Sequence, residues 1–200
     1  MEMNFFGFEE IPVSEEIKDF VPLIIEEAER LYGKRIEGYE MPTVDFRDAP
    51  NPFIEKWPDG RLVIVARTIV SKTNYEGCSE CAHEIIHTLS PFDWPESTST
   101  VLEEGLATEF QRYIRDEWCT GAQNPFGGHP DYPEYLKAMA TVKELLEYDE
   151  DAIKKLRVEE EVIGKINACH IKKVFPDLRK GLAEELAKPL SQLKREMRHI

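Results

Sequence analysis

The sequence predicts an α+β fold: a short β-rich stretch set between an N-terminal helix and a long helical remainder. Three observations carry this. Apolar residues recur at helical spacing before Gly33, the texture changes to β-branched runs between Gly38 and Thr68, and helical spacing returns from about residue 73 onward. Two hundred residues at 42% hydrophobic content suffice for one packed core, so one domain over 1–200 is expected. Its N-terminal lobe would span about 1–90 and its helical C-terminal lobe about 97–200, around a cleft.

Ser14-Glu15-Glu16 opens the first element, with Ile17, Phe20, Val21, Ile24, Ile25, Ala28, Leu31 and Tyr32 on one face and Gly33 as its end. Pro22 should kink or split it. Pro42-Thr-Val-Asp-Phe and Leu62-Val-Ile-Val-Ala are strand-like runs, separated by Pro50, Pro52 and the turn Pro58-Asp59-Gly60, and predict a small antiparallel or mixed sheet. Thr73-Asn-Tyr-Glu76 fits a capping box and should start a helix that ends near Ser90-Pro91. Val101, Leu102, Gly105, Leu106, Phe110, Tyr113 and Ile114 mark a second long helix to about Cys119. Gly121 to Pro133 reads as a loop, followed by helical segments near 133–147, 150–170 and 177–197.

The formal charge of −14 argues against a nucleic-acid partner, because binding to phosphate relies on clustered Lys and Arg that release counterions. The first ten residues lack the basic and apolar regions of a signal peptide, and no run approaches the roughly 20 apolar residues that span a bilayer. A cytoplasmic, soluble protein without a membrane partner is the expectation. Four cysteines are too few for a disulfide scaffold.

The chemistry concentrates at His83-Glu84-Ile85-Ile86-His87. On a helix, positions i and i+4 lie about 40° apart, so both imidazoles reach one ion from the same face. Glu84 points about 100° further round, where it can reach the water that such an ion activates without ligating the ion itself. The pattern is short enough to arise by chance, so its surroundings decide. Cys81, Ile85, Ile86, Thr88 and Leu89 are uncharged, as a helix passing through a core requires. Catalytic zinc takes three protein ligands and keeps a fourth position open, and Leu102-Glu103-Glu104-Gly105-Leu106-Ala107-Thr108 offers the third.

His83-Glu84-x-x-His87 followed by Glu104-Gly105-Leu106-Ala107 resembles the gluzincin metallopeptidases, the thermolysin and aminopeptidase N type. The resemblance covers Cys81 to about Phe110. It implies a zincin-like fold, Zn²⁺ held by His83, His87 and Glu104, Glu84 as general base, and a peptide or protein substrate. The ligand glutamate of the family maps onto Glu104, seventeen residues after His87, and Glu103 stands where the family usually has Asn. Thr108 occupies the position at which thermolysin-like enzymes place an Asp that orients the first histidine. No Gly-x-Met-Glu-Asn segment precedes the motif, which speaks against an exopeptidase. The expected reaction is metal-assisted peptide hydrolysis, with Glu84 taking a proton from water and passing it to the leaving amine.

Gluzincins also use a Tyr or His from the C-terminal lobe to stabilise the oxyanion. Tyr113, His129, Tyr132, Tyr135 and His170 are the candidates, with His129 and Tyr132 preferred because loops beside a cleft often carry such groups. The rival reading is a non-catalytic binding or regulatory protein on a zincin-like fold. Cys78-x-x-Cys81 reads as small packing residues on the motif helix, with redox regulation as the alternative. Glu147 to Asp151 and Glu159-Glu-Glu161 lack EF-hand spacing and read as solvated helix starts. Phe5, Phe6 and Phe8 read as an N-terminal strand or arm packed on the core.

Overall fold

The computed structural model describes residues 15–67, 74–91, 99–118 and 133–198. The aromatic arm at Phe5, Phe6 and Phe8 and the cap residue Thr73 lie outside them. Helix α1 (Glu15–Tyr32) precedes strands β1 (Thr43–Arg47), β2 (Phe53–Lys56) and β3 (Leu62–Arg67). Helices α2 (Asn74–Leu89), α3 (Val101–Trp118), α4 (Pro133–Tyr148), α5 (Ala152–Glu159), α6 (Ala168–Val174), α7 (Leu182–Ala187) and α8 (Leu190–Met197) complete an α+β architecture, with a 3-10 turn at Ile163–Lys165. No described helix is long and apolar enough to cross a membrane.

Pro22 does not split α1. Ile17, Val21, Ile24, Ile25 and Ala28 are buried along one face, so packing on the core holds the helix through the backbone bond that proline cannot make. The sheet is mixed, in the order β1-β3-β2: β1 runs parallel to β3, with Val44 opposite Ile64, and β2 runs antiparallel to it, with Ile54 opposite Ile64. The two strand-like runs seen in sequence are thus parallel partners. The third strand lies in the Pro-rich stretch between them, where two apolar residues after Pro52 are too weak a pattern to read. Leu62, Ile64, Val65 and Ala66 are buried, as a central strand requires.

The core is continuous from α1 and the inner face of the sheet through α2 and α3 to α5, α6 and α7. Helix α3 packs between α2 and α4. Arg157 of α5 ties the two lobes. It donates to the carbonyls of Tyr32 (3.1 Å), Gly33 (2.8 Å), Lys34 (2.6 Å) and Leu89 (3.4 Å), which leave the C-terminal ends of α1 and α2. One guanidinium so satisfies carbonyls that no helical amide reaches.

Two of the long helical segments expected from sequence are broken. The 150–170 stretch ends at Glu160 and restarts at Asn167, whose side chain accepts the amides of Cys169 and His170 while the His170 ring accepts the Asn167 amide. This reciprocal cap decides the boundary. The 177–197 stretch is interrupted by extended Lys188 and Pro189, which form an antiparallel bridge to Thr100 just before α3: the Val101 amide donates to Lys188 and the Leu190 amide to Ser99. Pro189 cannot donate a helical bond, so the chain turns there instead.

Candidate metal centre

Helix α2 is enclosed on nearly every side. Cys78, Cys81, Ala82, Ile85, Ile86 and Leu89 are buried against α1, β3 and α3, and His83 and Glu84 are buried with them. Polar groups in such a setting need partners. Thr88 donates to the Ile85 carbonyl, and the histidines meet the first turn of α3.

That turn is placed by two local features. The Thr100 hydroxyl accepts the Glu103 amide at 3.2 Å, which caps the helix start. Gly105 lets α4 approach: a Cβ there would stand 2.7 Å from both the Ala138 carbonyl carbon and Val142 Cγ2, far inside contact distance. The close approach at Ala138 also carries in Tyr135, one turn earlier on α4. Lys194 of α8 sits 4.9 Å over the Tyr135 ring, and Val101, Ala138, Leu190 and Leu193 form a small apolar cluster against that ring.

Three donor atoms converge. His83 Nε2 lies 3.4 Å and His87 Nε2 3.9 Å from Glu104 Oε2, and the three ligand atoms are all within 4.8 Å of one another. Donors around a tetrahedral zinc at ordinary bond lengths stand about 3.3 Å apart, so these side chains need close in only slightly to hold one cation. Two imidazoles and a carboxylate are also the right donor chemistry. This buried group is able to bind a metal ion, and it is the one such cluster among the described residues.

The local field favours positive charge. Burial works to raise the Glu104 pKa, but the hydrogen bond from His83, the charges of His87 and His83 and a hydrogen bond from Ser99 outweigh it and bring it down to about 2. Burial likewise disfavours protonated His87, yet the hydrogen bond to Glu103 and the charges of Glu104, Glu103 and Glu84 push its pKa up to about 10. Burial raises the Glu84 pKa, with the two histidines partly opposing and Glu104 and Glu80 adding to the rise.

Glu84, His87 and Glu104 line a cleft of about 370 Å³ together with Pro52, Phe53, Ile54 and Tyr135. Of the five candidates for an oxyanion donor, Tyr135 is the one described at this cleft, with its ring centroid 6.2 Å from that of His83. Tyr113 points elsewhere, donating to Glu27 of α1 at 2.6 Å, and His170 is taken up by its helix cap. His129 and Tyr132 lie outside the described residues.

Thr108, which replaces the orienting Asp, donates to the Glu104 carbonyl at 2.8 Å and so serves its own helix. The carboxylate beside a histidine comes instead from Glu103, whose Oε1 is 3.1 Å from His87 Nδ1. Sequence reasoning marked Glu103 only as a departure from the family. The wall supplied by β2 was missed with the strand itself.

Cys78 and Cys81 are buried, and burial pushes the Cys81 thiol well above its ordinary value, as suits packing rather than redox chemistry. Within the acidic clusters Asp149 pairs with Lys155, Asp151 with Lys154 and Glu159 with Lys173, as surface ion pairs. The chain matches no family model, no curated protein and no solved structure.

Proposed function

We propose that this chain is a zinc-dependent peptidase of gluzincin type with a zincin-like fold. The observation that carries the reading is the convergence of His83, His87 and Glu104 on one point at a cleft whose wall also holds Glu84. Zinc bound there supplies a Lewis acid that polarises a scissile carbonyl and lowers the pKa of a water molecule beside it.

The chain's own groups do the rest. His83, His87 and Glu104 hold the cation, and the buried carboxylate of Glu84, made avid for a proton by its surroundings, takes one from the attacking water and delivers it to the leaving nitrogen. Tyr135, which lines the cleft, would donate a hydrogen bond to the carbonyl oxygen as charge grows on it. Among the described residues β2 pairs with β3 alone, and an extended peptide would lie along its other edge, against Phe53 and Ile54. The reading implies a peptide or protein substrate cleaved within the chain.

Metal analysis with chelator-sensitive cleavage of casein or a peptide library tests this. Glu84→Gln should retain one zinc per chain and lose turnover by at least about a hundredfold. Full activity in that variant would remove Glu84 as the base. Stoichiometric zinc without hydrolysis of any peptide would favour a non-catalytic binding protein on the same scaffold.

A further inference from the structure

Thr100-x-x-Glu103 is the sequence of a capping box, in which the glutamate folds back onto the amide of the cap residue. Here the hydroxyl half is made, but the carboxylate goes across to α2, where Oε1 meets His87 Nδ1 at 3.1 Å. An acceptor on Nδ1 holds the ring proton there and leaves the Nε2 lone pair facing Glu104 Oε2. The other face of the Glu103 carboxylate rests on the backbone of the 3-10 turn. A Cβ on Gly164 would lie 3.0 Å from Glu103 Oε2 and 3.5 Å from its carboxyl carbon. Gly164 is not among the glycines at positive φ, so what this position uses is the missing side chain and not backbone freedom.

The turn is itself pinned next to the histidines. The Ile163 amide donates to the Ser90 hydroxyl at 3.0 Å, Ile163 is buried, and Ser90 lies just past the end of α2. Three segments distant in sequence thus meet at one carboxylate: the end of α2, the start of α3 and the turn after α5. We propose that Glu103 is a positioning residue for the metal centre and that Gly164 is the seat that aims it, so that the C-terminal lobe sets the orientation of His87 and with it the affinity for the cation. This rests on the reading of His83, His87 and Glu104 as a metal site.

The experiment measures Zn²⁺ affinity by competition with a chromophoric chelator, the visible absorption of the Co²⁺-loaded protein, and the Tm of the metal-free protein. Glu103→Ala should weaken zinc binding about 10- to 100-fold and alter the Co²⁺ spectrum. Glu103→Gln, which keeps the shape and an acceptor oxygen, should fall between it and the parent. Gly164→Ala should weaken binding less, and should have no further effect on affinity in the Glu103→Ala background, because the two act through one contact. A purely structural role for Glu103 would lower the metal-free Tm and leave the relative affinities alone.

Zinc affinity unchanged in both Glu103→Ala and Glu103→Gln, in a parent that binds one zinc, overturns the inference and leaves the metal site standing. Equal loss from Gly164→Ala with and without Glu103 overturns the role of the turn. A parent that binds no zinc removes the metal reading itself, and this inference with it.

Discussion

The first turn of α3 and the rest of that helix hold their carboxylates in very different company. From its middle to its C-terminal end, Glu109 pairs with Arg112 at 2.6 Å and Asp116 with Arg112 and Arg115 at 2.8 Å each, and on neighbouring α1 Glu27 pairs with Arg30 at 2.7 Å. At the N-terminal end, Glu103 and Glu104 are buried beside Glu84, and their ion-pair partners among the described residues are His83 and His87. One end is neutralised by arginines that never lose their charge. The other holds more acid than base in a buried place, which is costly unless a cation completes it. Glu109 is as buried as Glu103 and Glu104, so the missing permanent cation is what distinguishes a candidate site from a structural ion-pair network.

The largest effect should come from exchanging carboxylates at each end. Glu104→Ala is expected to abolish stoichiometric zinc binding, whereas Glu109→Ala should leave the zinc content at one and cost stability only. Metal analysis after dialysis checks both, and zinc loss in the Glu109 variant would erase the contrast. A smaller effect is expected at the helix crossing. Gly105→Ala forces a methyl group into the α4 backbone at Ala138 and should cost about 1–3 kcal/mol in chemical denaturation. It should also weaken peptide cleavage, since α4 carries Tyr135 to the cleft. An unaltered denaturation midpoint would show that α4 yields without strain.

The smallest effect concerns the arginine-rich end. Tyr113→Phe removes the hydrogen bond to Glu27 and should cost about 0.5–1.5 kcal/mol, with no change in metal content. Its pH dependence follows from Glu27, whose pKa the Arg30 hydrogen bond lowers against the opposing effect of burial, with Tyr113 helping. A carboxylate depressed in the folded state contributes stability that is fully present above its unfolded pKa of about 4.3 and is lost as pH falls through the lower folded value. The Tyr113→Phe variant should therefore show a shallower loss of stability below about pH 4 than the parent. Parallel acid unfolding curves would assign that slope to other carboxylates.

How much was legible in sequence differs between these same regions. The two long helices were readable because their apolar residues repeat over four turns, the pairing of His83 with His87 because an α-helix fixes which side chains share a face, and Glu104 from the resemblance of its surroundings to a known motif. The breaks at Glu160 and Lys188 were not, since they depend on a cap at Asn167 and on a bridge to Thr100 that only the folded chain forms. Strand β2 is short, sits at an edge and follows Pro52, so little of its identity is local.

The sequence by itself determined the helix that carries two imidazoles one turn apart, the glutamate between them, and a second helix opening with paired carboxylates. Its helical period decides which of those side chains lie together on one helix. Only the tertiary structure decided that Glu104 meets both histidines through Nε2, that Glu103 turns to His87 Nδ1, and that Tyr135 and β2 line the cleft. Adjacent residues on a helix differ by about 100° in direction, and which direction meets a neighbouring element is set by how the helices cross. At this crossing the decision rests on Gly105, where the backbones of α3 and α4 come together at Ala138, and on the turn at Gly164 that receives the second carboxylate.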